Sequence, residues 1–192
     1  MAPTRDEAWD LVQEWVQSDS LRKHLLGVEV GMRAYARRFG EDEELYGVTG
    51  LLHDLDYERY PDLETGHPRK ALELFRERGY SQELIDAVAG HADFLGVPRE
   101  SRMAKTLYAV DELSGFLAAC ALVRPTGIEG MTPKSVKKKL KQPSFAAGVD
   151  REEVRRGAEE LGVGFDQHVG FLIAAMEERA DELGLSAHQV AS

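Results

Sequence analysis

Helix caps recur along this sequence at intervals of about one helix length, and no stretch alternates apolar and polar residues for long enough to make a useful strand. Thr4-Arg-Asp-Glu7 has the form of a capping box, with a hydroxyl at the cap and a carboxylate three residues on. It leads into Ala8, Leu11, Val12 and Trp15, spaced for one helical face. A second helix is expected over Ser20–Arg38, with Leu21, Leu25, Val28, Met32 and Tyr35 inward and Gly40 as its stop. Its Gly27 and Gly31 would let a neighbouring helix come close. A third helix, about Asp42 to His53, turns strongly apolar at Val48, Leu51 and Leu52. Leu55–Gly66 has no clear period and reads as a loop. Pro68 suits the first turn of a fourth helix and Gly79 its end, and Ser81 opens a fifth that finishes near His91. After a linker with Gly96 and Pro98, a long apolar helix is expected from about Ser101 to Val123. Pro125, Gly127, Gly130 and Pro133 then mark a break. Beyond it come a basic helix, Lys134–Lys141, a capped start at Asp150-Arg-Glu-Glu153, and an amphipathic helix over Phe165–Leu183. The fold class is all-α, with a helical core over 1–124 and a C-terminal helical extension over 125–192 packed on the same domain.

The bulk numbers narrow the function. Hydrophobic residues at 43% and charged residues at 30% are ordinary for a globular chain, so disorder is not the reading. A formal net charge of −10 lacks the basic footprint that a phosphate backbone needs, so no nucleic-acid polymer is expected. A small anionic substrate remains compatible, because a metal centre concentrates positive charge inside an acidic protein. The single cysteine, Cys120, lies in an apolar run and reads as a small buried hydrophobe. Arg5, Asp6, Glu7 and Asp10 interrupt any signal-peptide pattern, and no apolar run approaches the ~20 residues needed to cross a bilayer. No membrane partner is expected, and a cytoplasmic location follows as the default. An oligomer is possible through the apolar faces of the last helix.

Six histidines stand at 24, 53, 67, 91, 168 and 188. The adjacent pair His53-Asp54 follows an apolar helix, so an imidazole and a carboxylate are presented together from a buried wall. A carboxylate brought there alone would be costly, and coordination to a cation removes the objection. Asp111 repeats the argument inside Leu107-Tyr-Ala-Val-Asp-Glu-Leu113. Glu112 points about 100° away by helix geometry and belongs to the surroundings or the surface. Imidazole with carboxylate suits manganese, iron, zinc or nickel better than calcium or magnesium alone. His168, among Phe165, Val169, Leu172 and Met176, reads as a packing residue, and His188 sits in the tail.

The order His24, His53-Asp54, Asp111 resembles the H…HD…D signature of the HD-superfamily metal-dependent phosphohydrolases. The flanking text agrees: Arg-Lys-His24-Leu-Leu-Gly-Val, Leu-Leu-His53-Asp54 and Tyr-Ala-Val-Asp111-Glu-Leu. The likeness covers roughly Ser20 to Val123. Gly66-His67-Pro-Arg-Lys-Ala71 and Val88-Ala-Gly-His91 resemble the two further histidine motifs of a subset of that superfamily. The resemblance implies an HD-domain helical bundle that binds one or two divalent transition-metal ions (iron, manganese, nickel, cobalt or zinc). It implies His24, His53, Asp54 and Asp111 on the first ion, with Asp54 bridging to a second held by His67 and His91. Asp54, His67 and His91 would be the catalytic set, acting through a metal-activated water. Tyr57 stands where many family members carry a lysine in His-Asp-x-x-Lys. The run His-Asp-Leu-Asp-Tyr also resembles a group of small HD proteins described as predicted hydrolases.

Cations near the motif are candidate substrate groups: Arg69 and Lys70 beside His67, and Arg124 just past the Asp111 helix. Tyr57 and Tyr60 either stack on a base or anchor their loop, and Asp56, Glu58 and Tyr60 would shape the pocket mouth. The lysines of Lys134–Lys141 form either a phosphate-holding flap or a solvated helix face. The implied activity is hydrolysis of a small phosphorylated substrate, a nucleotide or dinucleotide polyphosphate. The alternatives are a dinuclear-iron oxygenase of the HD type and a non-catalytic, metal-stabilised nucleotide sensor.

Overall fold

In the computed structural model residues 1–190 are described, and every regular element among them is a helix. Residues 191 and 192, the end of the expected C-terminal extension, lie outside the described residues. The chain divides into two compact units, Met1–Tyr108 and Ala109–Ser192, and the division falls inside one continuous helix.

The first unit contains α1 (Arg5–Trp15), α2 (Asp19–Phe39), α3 (Glu43–Leu52), α4 (Arg69–Glu77), α5 (Gln82–His91) and the first turns of α6 (Arg102–Leu122). The Thr4 capping box forms as expected: the Thr4 hydroxyl accepts from the Glu7 N–H at 3.2 Å, and the Glu7 carboxylate accepts from the Thr4 N–H at 2.8 Å. α2 starts earlier than the apolar spacing suggests, because Ser18 is its cap and accepts from the Leu21 N–H. Gly40, at φ 70°, ends it. The core of the unit is the α2–α3 packing, where Leu25, Val28, Met32, Tyr35, Val48, Leu51 and Leu52 are all sealed from solvent. Each such side chain contributes roughly 1.5–3 kcal/mol by leaving water. Backbone meets backbone at Gly50 of α3, where a Cβ would stand 3.1 Å from both the Val28 carbonyl carbon and the Glu29 nitrogen. Glu29, buried in this contact, accepts from Arg5 Nε at 2.8 Å and Arg33 Nε at 2.9 Å, so its charge is matched and α1 is tied to α2.

The second unit holds the rest of α6, then α7 (Pro133–Leu140), α8 (Arg151–Leu161), α9 (Phe165–Glu177), α10 (Ala180–Leu183) and α11 (Ala187–Val190). The basic helix begins where Thr132 and Ser135 cap one another, with Pro133 at its first position. His168 is the packing residue its neighbours suggested: it is buried, and its Nε2 donates to the Ala109 carbonyl of α6 at 2.8 Å. Glu112 accepts from the Asp150 N–H at 3.0 Å and so steadies the start of α8. The helix expected over Phe165–Leu183 is interrupted at Arg179, whose backbone leaves the helical region. No glycine or proline marks that break. Among the described residues, no helix is long and apolar enough to cross a membrane.

Candidate metal centre

The site is built where two helices end. His53 follows the last turn of α3 and is fully buried; its Nδ1 donates to the Gly50 carbonyl at 2.8 Å. His91 ends α5, and its Nδ1 donates to the Val88 carbonyl at 2.5 Å. A carbonyl can only accept, so in both rings Nδ1 carries a proton and Nε2 is the atom turned away from the backbone. His67, just before α4, is held differently. Its Nδ1 lies 2.8 Å from Oδ1 of Asp56, a fully buried carboxylate whose Oδ2 accepts from the Ala71 N–H, also at 2.8 Å.

All three Nε2 atoms then converge on Asp54. Its Oδ1 lies 3.4 Å from His67 Nε2 and 3.2 Å from His91 Nε2, while Oδ2 lies 3.5 Å from His53 Nε2. The ligand atoms of Asp54, His67 and His91 all fall within 4.8 Å of one another. Three imidazole nitrogens gathered on one part-buried carboxylate call for positive charge among them, as protons or as a metal ion. Imidazole nitrogens with a shared carboxylate are donors that fit a first-row transition metal. His24, on α2, brings its ring to 5.3 Å from that of His53. Asp111 lies on α6, half-buried, in the second unit.

The segment from Asp54 to Pro68 is held at both sides. The Glu58 carboxylate accepts from the Gln17 and Ser18 N–H groups at 3.0 and 2.9 Å. Arg59 donates to the Glu14 carbonyl and lies 4.6 Å over the Trp15 ring, against which Tyr60 also packs. Asp62 accepts from the Glu64 and Thr65 N–H groups and the Thr65 hydroxyl, bonds that hold its carboxyl below the ordinary carboxylate range. Gly66 is required here, since a Cβ would stand 2.3 Å from the Tyr60 carbonyl oxygen. Glu58 and Tyr60 thus anchor the loop, and Asp56 lies inside the protein behind His67.

Of the expected substrate groups, Tyr57 is exposed and stands edge-on to His67 at 5.2 Å. Arg69 donates to the Leu63 carbonyl at 2.5 Å and lies 5.9 Å over Phe94. Lys70 pairs with Glu73 at 2.9 Å on the exposed side of α4. Arg124, in the second unit, donates from Nε to the Gly127 carbonyl at 2.9 Å and from Nη2 to the Glu129 carbonyl at 2.8 Å.

Two features of the site escape the sequence. Asp56 fixes the ring of His67; the only sign is a carboxylate two residues past Asp54, next to buried Leu55. The segment after His91, expected to be a linker, is a brace. Arg99 donates to the Gly90 carbonyl and to Asp93, both at 2.7 Å, and lies 3.6 Å over Tyr108, whose hydroxyl donates to Asp93 at 3.1 Å.

Residues 21–115, about half of the chain, match the family model of the HD domain. The chain belongs to the HD superfamily. HD domains bind divalent metals and are typically those of metal-dependent hydrolases, and the His/Asp group around Asp54 is able to hold such an ion. Ribonuclease Y of Oleidesulfovibrio alaskensis is 32% identical over 98 residues, which are 51% of this chain and 18% of that protein. Ribonuclease Y of Lactobacillus helveticus is 35% identical over 89 residues, 45% of this chain and 16% of the relative. That of Rhodopirellula baltica is 26% identical over 133 residues, 69% of this chain and 24% of the relative. This HD protein thus spans at most 24% of the length of these curated relatives. No solved structure is significantly similar to it.

Proposed function

We propose that this HD protein is a metal-dependent phosphohydrolase that uses a metal-activated water on a small phosphorylated substrate, a nucleotide or dinucleotide polyphosphate. The observation that carries the reading is the division of Asp54, with one oxygen towards His67 and His91 and the other towards His53. On this proposal Asp54, His67 and His91 hold one divalent ion, and His24, His53, Asp54 and Asp111 hold a second, following the family order of ligands. The ions would be iron, manganese, nickel, cobalt or zinc. Such ions polarise a phosphoryl oxygen and bring the pKa of a water towards neutrality.

The protein's own groups do the positioning. The carbonyls of Gly50 and Val88 and the carboxylate of Asp56 hold the three rings with Nε2 pointed inward. Asp54 supplies the negative charge shared between the two ligand sets. Tyr57, exposed at the edge of His67, supplies a ring face for a base or a hydroxyl for a phosphate oxygen. Arg69 and Lys70, at the start of α4 beside His67, are the proposed phosphate-facing cations; Lys70 exchanges its exposed partner Glu73 for substrate. A second reading, cleavage of a phosphodiester in RNA, is favoured by one observation: the relatives carry the name Ribonuclease Y.

The test is phosphate release by protein prepared without oxygen or chelator and reloaded with manganese or iron. Nucleoside polyphosphates, dinucleotide polyphosphates and a labelled RNA oligomer are offered in parallel. The proposal expects multiple turnovers on a small nucleotide without oxygen, and a loss of about 10²–10³-fold in kcat/KM for Asp54→Asn. Turnover on RNA alone supports the second reading. Oxygen-dependent turnover, or nucleotide binding with no turnover under any metal, overturns both.

A further inference from the structure

The second unit contains a cavity of about 240 Å³ bounded by the end of α6, the turn after it and α7. Its apolar wall includes Cys120 and Met131, both buried. Arg124, Lys138, Lys139 and Ser135 also line it. Three cations therefore meet around one cavity in a chain whose formal charge is −10. The general field of such a chain repels anions, so affinity for one has to be built locally.

The lysines of α7 are not equivalent. Lys137 pairs with Asp166 at 2.7 Å and is spent on the fold. Lys138 and Lys139 have no carboxylate within ion-pair distance among the described residues. Lys139 instead rests 4.5 Å over the Phe145 ring, which orients its ammonium without neutralising it. Arg124 is fixed by its Nε bond to Gly127 and its Nη2 bonds to Thr126 and Glu129, while Nη1 makes no hydrogen bond to any described residue. A held guanidinium edge beside two uncompensated ammonium groups is a receptor for concentrated negative charge. The cavity is smaller than the roughly 300–1,000 Å³ of pockets for drug-sized molecules, so a phosphate group fits it better than a whole nucleotide.

We propose that this pocket is an anion site for the terminal, dianionic phosphate of a small phosphomonoester. It is read from the second unit alone, so it stands or falls independently of the metal centre. The basic helix is thus divided: Lys138, itself exposed, and Lys139 line the cavity and serve the ligand, while Lys134 and Lys141 lie outside its lining.

The experiment is a backbone-amide NMR titration of the whole 192-residue, 21.4 kDa chain with inorganic phosphate, phenyl phosphate and dimethyl phosphate. Phosphate and phenyl phosphate should give saturable shifts at Arg124, Ser135 and Lys138–Gln142, with half-saturation below about 10 mM. The paired substitution Lys138→Ala with Lys139→Ala should weaken binding at those amides by about tenfold or more. The same loss of charge through Lys134→Ala with Lys141→Ala should leave it within about twofold, as screened exposed charges do. If alanine disturbs α7, a Lys138→Gln, Lys139→Gln pair that preserves the spectrum elsewhere supplies the same comparison. Shifts that never saturate, equal weakening by both pairs, or a diester that binds as well as the monoesters each overturn the proposal. Because the readout is residue by residue, phosphate bound at the metal centre registers at other amides and cannot imitate the result.

Discussion

Replacing Asp56 by asparagine should turn His67 from the metal ligand proposed above into a hydrogen-bond donor without unfolding the protein. Asp56 accepts two bonds, one on each oxygen: from His67 Nδ1 and from the Ala71 N–H, both at 2.8 Å. The Ala71 N–H can only donate, so the amide oxygen of the new side chain is required on that side. Its NH₂ then faces His67 Nδ1, which must become the acceptor. The proton moves to Nε2, where it points at Asp54 Oδ1, now 3.4 Å away. Reversing the amide would instead orphan the Ala71 N–H, at a cost of roughly 1–3 kcal/mol. The fold should lose only the difference between a charged and a neutral acceptor, about 1 kcal/mol. Metal affinity should fall about 10–100-fold, the usual effect of removing the group that orients a ligating histidine. Chelator competition measures the affinity, and urea unfolding of the metal-free protein measures the stability. An Asp56→Asn protein that binds metal as tightly as the parent would refute the assignment of both Asp56 and His67.

Further consequences follow from the same geometry. Gly50→Ala should destabilise the first unit by about 1–3 kcal/mol in urea unfolding, because its Cβ meets the α2 backbone at 3.1 Å; an unchanged midpoint would mean that the α2–α3 contact is loose. Burial pushes the Cys120 thiol up to about 11, so its thiolate is scarce at pH 8 and grows only as pH rises towards that value. Iodoacetamide should therefore label native protein about a hundredfold more slowly than urea-unfolded protein at pH 8, by mass spectrometry. Comparable rates would contradict the burial. Metal at about 100 times its Kd should stabilise the fold by about 2.7 kcal/mol and raise Tm by roughly 5–10 °C, an increment that a chelator removes. A Tm indifferent to both would count against a site formed by folding.

The helices were legible because their signals are local. The Thr4 capping box, the Gly40 stop and the apolar face of α2 each act within a turn or two of chain, and each holds in the folded protein. The pair His53-Asp54 was legible because a carboxylate beside an apolar helix end needs an explanation in any fold, whereas His24, His67 and His91 were singled out by the family resemblance of their motifs. What the sequence hid depends on contacts distant in the chain. Asp56 reads as one more loop acid until His67 and the α4 N-terminus come back to it. Arg99 reads as part of a linker until it reaches the Gly90 carbonyl and Tyr108. Glu29 stands in an apolar stretch of α2 and is explained only by Arg5, 24 residues earlier, together with Arg33. The break at Arg179 has no local breaker to announce it.

Elemental analysis of protein purified without oxygen or chelator tests the central claim most directly. The account predicts about two transition-metal ions per chain in the parent, and a clear deficit in Asp54→Ala, which removes the carboxylate shared by both ligand sets. No bound metal in the parent, even after reloading with manganese or iron, would contradict the account, as would full occupancy in Asp54→Ala.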